Sequence, residues 1–166
     1  MTRSTNDSDD TGTMKKTFPI GDVLTVATGR MVAERGFDAV YELLEFLFGF
    51  KPFTHYIPRM VKICLPHLRA QIPQIDVVDQ EVARLDRDNQ EIESRQLSRS
   101  EKIVAFQELA HAWRRDIAEK IGDELTISIM PDPIAPQDPV EALTEMREDR
   151  SVIVVLRDEN KKNEAP

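Results

Sequence analysis

One cysteine, Cys64, stands in the 166 residues of this chain. A lone thiol excludes an intramolecular disulfide and a structural zinc site built on several thiolates. Long apolar runs are also missing. The most apolar stretch, residues 43–50, is interrupted by Glu45, whereas a membrane helix needs about 20 apolar residues. Residues 1–16 have no apolar core of the kind a signal peptide carries. A cationic surplus is absent too: 22 Lys and Arg against 30 Asp and Glu leave a net charge of -8. Long-range attraction to nucleic acid or to an anionic membrane is therefore disfavoured, and an acidic surface suits a basic partner instead. No phosphate-cradling loop can be read, because Gly21 and Gly29 are too far apart and no Gly-Lys-Ser/Thr comes after them. A Gly-x-Ser-x-Gly elbow and internal repeats are likewise missing. These absences lead to the expectation of a protein of a reducing cytoplasm, with no cofactor, no metal, no membrane partner and no nucleic-acid partner.

Apolar residues make up 40% of the chain, low for a wholly globular protein. The shortfall lies in a polar head, a charged middle and a polar tail, so the remainder can still bury a core. Residues 1–16 are Ser, Thr, Asp and Gly with almost nothing to bury, and a disordered head is expected there. A helical body is expected over 18–123, including a charged helical arm at 76–97. A strand–helix–strand appendage is expected over 124–157, and residues 158–166 should fray. The fold class expected is mainly α, a helical bundle with a small C-terminal α/β appendage.

Gly21 and Asp22 can cap a helix over 23–33, with Val23, Leu24, Ala27, Met31 and Ala33 as its apolar stripe. The β-branched Thr25, Val26 and Thr28 leave a strand over 23–27 as the alternative. Asp38 is expected to cap a second helix over 39–48, apolar on most sides and so central in the bundle, ended by Gly49. A third helix should begin near Pro58 and kink or split at Pro66. Val78, Val82, Leu85, Asn89 and Ile92 are spaced 4-3-4-3, a heptad seam about two repeats long with an asparagine in it. Such a seam can pair two copies of the chain, or it can fold back on Ile103, Phe106 and Leu109. Ser98 or Ser100 can start a long helix to about Ile121, ended by Gly122. Residues 125–130 alternate as a strand, prolines at 131, 133 and 136 form a stiff connector, a short helix is expected at 140–147, and 151–156 reads as a second strand. The core should unite Phe37, Val40, Leu43, Leu44, Leu47, Met60, Ile63, Phe106, Leu109 and Trp113.

The run Phe18-Pro-Ile-Gly-Asp-Val-Leu24, then Thr28-Gly29-Arg30, Val40-Tyr-Glu-Leu-Leu44 and Phe53-Thr-His-Tyr-Ile-Pro-Arg59, resembles a small domain family of bacteriophages and prophages whose role is unknown. A looser likeness takes in Trp113, Ala118, Ile121-Gly122-Asp-Glu-Leu125, the proline connector, Asp138-Pro139 and residues 152–155. Residues 76–105 fall outside it. The resemblance implies a phage or prophage origin, and with it the cytoplasm of a bacterial host. It brings no catalytic residues.

Three constellations invite chemistry. Glu108 and His111 form one Glu-x-x-His pair, half of what a carboxylate-bridged metal bundle needs, and an incomplete ligand set gives no reason to expect a metal. Cys64 and His67 share a helix face beside Met60 and Leu68, which reads as core rather than as a reactive thiolate pair. Arg30, His55, Tyr56 and Arg59 can form a polar patch for an anion near a helix start, against the plainer reading of capping and loop pinning. Lys102, Arg114, Arg115 and Lys120 are interleaved with acids and read as a solvated face.

No catalytic residue is assigned, and the leading expectation is a non-enzymatic phage or prophage accessory protein that binds a host or phage protein. Inhibition of a host defence system, as by an anti-CRISPR, would suit a small, acidic, motif-poor chain. The alternatives are a small ligand-binding or enzymatic domain using the Arg30/His55/Tyr56/Arg59 patch, and a dimeric structural or assembly protein paired through 78–96. A monomer is the expected state.

Overall fold

The computed structural model describes residues 13–132. Strand β1 (Lys15–Pro19) leads directly into helix α1 (Ile20–Thr28). Next come helix α2 (Phe37–Phe48), a single 3-10 turn (Thr54–Tyr56), and helices α3 (Ile57–Arg69), α4 (Ile75–Ser94) and α5 (Arg99–Ile121). Strand β2 (Glu124–Ser128) then returns to β1. Among the described residues the chain is therefore mainly α, with one two-stranded antiparallel sheet. None of these helices is long and apolar enough to cross a membrane.

The centre of the body is α1, where the helical alternative prevails over the strand. Every residue from Ile20 to Ala27 is buried, and α1 touches α2, α3, α5 and both strands. Its one charge, Asp22, is paired with Arg35. Expecting α2 to be central was wrong. Asp38, Glu42 and Glu45 hold one of its faces at the surface, while Ala39, Val40, Leu43, Leu44, Leu47 and Phe48 are buried. Asp38 does not cap α2 by its side chain; the N-cap is Gly36. Gly49 does end the helix, at φ 79°, a left-handed conformation that glycine adopts without steric cost. Phe37, placed in the core from its sequence, is 65% exposed because it is the first residue of α2. Ile63, Phe106 and Leu109 are half-buried.

Two features bind α1 to its neighbours in the body. The Thr25 hydroxyl donates to the Gly21 carbonyl at 2.8 Å. It also accepts from the backbone N–H groups of Val32 (3.1 Å) and Ala33 (2.8 Å). Gly21 lets the stem of Arg114 cross the helix, since a Cβ there would stand 2.7 Å from Arg114 Cδ and 3.2 Å from the Val32 carbonyl oxygen.

Helix α3 runs unbroken through Pro66 instead of splitting. The carbonyl deprived of a partner belongs to Lys62, which is exposed, so water can satisfy it. The sheet forms because Lys15 to Pro19 pair with Ser128 to Glu124, with Phe18 opposite Leu125. Phe18 is buried against Phe46, ring centroids 5.4 Å apart. Lys15 and Lys16, placed in the disordered head from the sequence, are instead in a strand, because they find a partner more than 100 positions away. The head up to residue 12, the helix at 140–147, the strand at 151–156 and the tail at 158–166 lie outside the described residues.

The charged arm folds back. Val78, Leu85 and Ile92, one residue per heptad, are buried on α4, and Ala110, Trp113 and Ile117 are buried on α5. The two helices pack against each other. Trp113 Nε1 donates to the Glu81 carbonyl at 2.8 Å, and Lys120–Glu81 (2.6 Å) and Arg84–Asp116 (3.0 Å) link them at the surface. The turn is made by Leu97 and a capping box, in which the Ser98 hydroxyl accepts from the Glu101 N–H and the Glu101 carboxylate accepts from the Ser98 N–H. Ser98, not Ser100, starts α5.

Candidate functional site

Helix α5 buries its Trp113 side against α4 and leaves apolar side chains uncovered near its start. Ile103 is 50% exposed and Val104 is 53% exposed. They are adjacent in sequence, hence about 100° apart around the helix, so the apolar surface is wider than the buried stripe. Beside Ile103 lies an open trough of about 1040 Å³. From α5 it takes Ile103, Phe106 and Ala110; from the α1–α2 connection Met31, Ala33 and Glu34; from α4 Asn89 and Glu93; and Leu97 from the turn. A smaller hollow of about 360 Å³ along the rest of α5 shares Glu34, His111 and Arg114 with it.

Arg114 separates the two hollows. Its guanidinium donates to the Val32 carbonyl and to Glu34 (3.0 Å), and meets His111 Nδ1 at 3.0 Å. Lys102 is tied to Glu93 through both its carboxylate (3.2 Å) and its carbonyl (2.8 Å). The two acids of the trough, Glu34 and Glu93, are thus already neutralised. Arg99 is exposed and has no ion-pair partner among the described residues.

The residues singled out from the sequence are mostly occupied structurally. Arg30 donates twice to the Asp86 carboxylate, both at 2.7 Å, joining the end of α1 to α4. Those hydrogen bonds hold the Asp86 carboxyl below the usual carboxylate range and raise Arg30. Tyr56 is a core residue stacked on Phe53 at 5.4 Å. The Arg59 guanidinium lies 5.6 Å from the centre of the Tyr56 ring, and His55 is exposed. The structure therefore brings Tyr56 and Arg59 together, commits Arg30 to α4, and turns the phenol ring into packing.

The seam read as a possible contact between copies needs the same correction. Val78, Leu85 and Ile92 are covered within the chain, so their apolar area is already used, while Val82 and Asn89 are half-buried and Asn89 borders the trough. His111 bonds to Arg114 rather than facing Glu108, which is exposed. Among the described residues no group of three or more His, Cys, Asp and Glu could hold a metal ion. Cys64 is buried, and desolvation pushes its thiol up to about 12. His67 Nε2 donates to the Ser128 carbonyl at 3.0 Å. Gln71 Oε1 accepts from the Ser128 N–H at 2.7 Å, so the pair fastens α3 to β2.

A family model, a domain of unknown function (DUF7736), matches residues 18–78. No curated protein and no solved structure matches the chain. The matched segment covers little over a third of the sequence and runs from Phe18 in β1 to the first turn of α4. Within it, Gly21, Asp22, Thr25 and Arg30 act as fasteners: a crossing point, a buried carboxylate paired with the exposed Arg35, a pinned connection and a tie to α4. The trough takes only its α1–α2 side from this segment, and α5 lies wholly outside it.

Sequence reasoning missed the trough because it assigned Ile103 and Phe106 to one buried stripe. The available signal was that Ile103 and Val104 add to an apolar stripe already holding Phe106, Ala110 and Trp113, which makes the apolar face of α5 broader than one packed helix has to cover.

Proposed function

We propose that this chain works by binding another protein, without chemistry of its own, and that the trough beside Ile103 is where the partner docks. The observation that carries this reading is Ile103, half-exposed in the trough, with Val104 half-exposed beside it in the adjoining hollow of Leu97 and Ala105, on a helix held rigidly by Trp113 and the Ser98 capping box. Contiguous apolar surface rimmed by polar groups is characteristic of interaction sites. The trough is open, whereas a small-molecule site encloses most of its ligand. The setting we propose is the one implied by the sequence resemblance: a phage or prophage accessory protein acting on a host or phage protein in the bacterial cytoplasm. Inhibition of a host defence system, in the manner of an anti-CRISPR, is one such action.

The test compares baits in the host. The intact chain, the Ile103→Glu/Val104→Glu double variant and a remote control, Lys62→Glu, are used to capture partners that are then quantified by mass spectrometry. The expected result is a partner held by the wild type and the control and depleted at least about tenfold by the double variant. Both substituted positions are half-exposed, so the variant should stay folded within about 0.5 kcal/mol of the wild type. Equal capture by the double variant would place the partner elsewhere.

A further inference from the structure

We infer that the occupant of this trough is a short amphipathic helix carrying an acidic residue, a proposal that rests on the docking reading above. Its first support is size. A helix about 10 Å across that rises 1.5 Å per residue fills roughly 120 Å³ per residue. A trough of about 1040 Å³ has the volume of about nine such residues, and because it is open and takes only one face of a helix, it suits a segment at least that long, two to three turns or more. That length presents apolar anchors at i, i+3 or i+4, and i+7, the pattern by which helices seat in grooves. Met31, Leu97, Ile103 and Phe106 offer them an apolar lining drawn from three segments of the chain.

The second support is charge. The chain as a whole carries -8, yet this lining holds Arg99, Lys102 and Arg114 against Glu34 and Glu93. Arg114 is paired with Glu34 and Lys102 with Glu93, which leaves Arg99 as the charge open to a visitor. A cation at the first position of a helix is disfavoured by the helix dipole, so Arg99 does not serve the stability of α5. An aspartate or glutamate on the incoming helix would complement it and set its direction. A basic helix would meet an unopposed guanidinium, because the acids of the trough are already engaged.

A display library of twelve-residue peptides panned on the intact chain, with Ile103→Glu as counter-selection, tests this directly. Enriched peptides should carry apolar residues at helical spacing and an Asp or Glu near one end. Synthetic copies should bind Arg99→Glu about tenfold more weakly, since attraction becomes repulsion, and that variant should fold because glutamate suits a helix start. Enriched peptides that alternate with period two, that are basic, or that ignore Arg99→Glu would overturn the acidic-helix inference while leaving the docking surface in place. No enrichment over Ile103→Glu would overturn both.

Discussion

Replacing Thr25 by valine removes one oxygen and keeps the shape of the side chain. That oxygen serves three backbone groups at once: it donates to Gly21 and accepts from Val32 and Ala33. The three losses are unequal. The Gly21 carbonyl keeps its place in the α1 ladder. The Val32 N–H keeps the Arg30 carbonyl at 2.8 Å. The Ala33 N–H has no second partner among the described residues, and Ala33 is buried. Leaving one buried donor unsatisfied costs about 1–3 kcal/mol, and a shared hydrogen bond adds less than its nominal 0.5–1.5 kcal/mol. The total for Thr25→Val is therefore about 2 kcal/mol, a fall in Tm of about 4–8 °C for a chain of this length. Thr25→Ser keeps the oxygen and loses a buried methyl, about 1 kcal/mol. Urea denaturation followed by circular dichroism resolves the difference. Because Met31, Ala33, Glu34 and Gly36 border the trough, the valine variant should also weaken binding there. Valine as stable as wild type, or serine as costly as valine, would refute the role given to the hydroxyl.

Leu85→Glu should destabilise the monomeric fold, because Leu85 is buried within the α4–α5 hairpin; light scattering that shows a wild-type dimer converted to a folded monomer would contradict this. Acid should lower stability. Arg30 depresses Asp86, and Lys16 and then Arg35 depress Glu42, so the contribution of these pairs is full above the unfolded carboxylate values and is lost from about pH 4 downward. Arg30→Gln should flatten part of that fall in a thermal melt taken across pH. The Cys64 thiol should resist thiol reagents in the native state and react on unfolding. Its folded pKa is raised, so the stability tied to it is complete below about pH 8.5, the unfolded value, and declines as pH climbs toward the folded value of about 12.

Much of the fold can be read locally. The capping pair Ser98 and Glu101, the apolar periodicity of α5 and the glycines at 49 and 122 mark helix ends and faces, because these signals act within one or two turns. The mainly-α class, the burial of Leu43, Leu44, Leu47, Met60 and Trp113, and the inert setting of Cys64 come from the same local rules. Tertiary structure decided whatever depends on distant partners. Lys15 and Lys16 became a strand only because Ile127 and Ser128 lie beside them. Arg30 turned from a candidate anion ligand into a tie because Asp86 faces it. The heptad seam of α4 went inward because Trp113 and Ile117 offered it apolar surface closer than any second copy could. Beyond Ile103 the trough had no local signature, since residues of the α1–α2 connection, α4 and α5 meet there only after the chain has folded. Periodicity determines which face of a helix is apolar; only packing determines how much of that face stays uncovered.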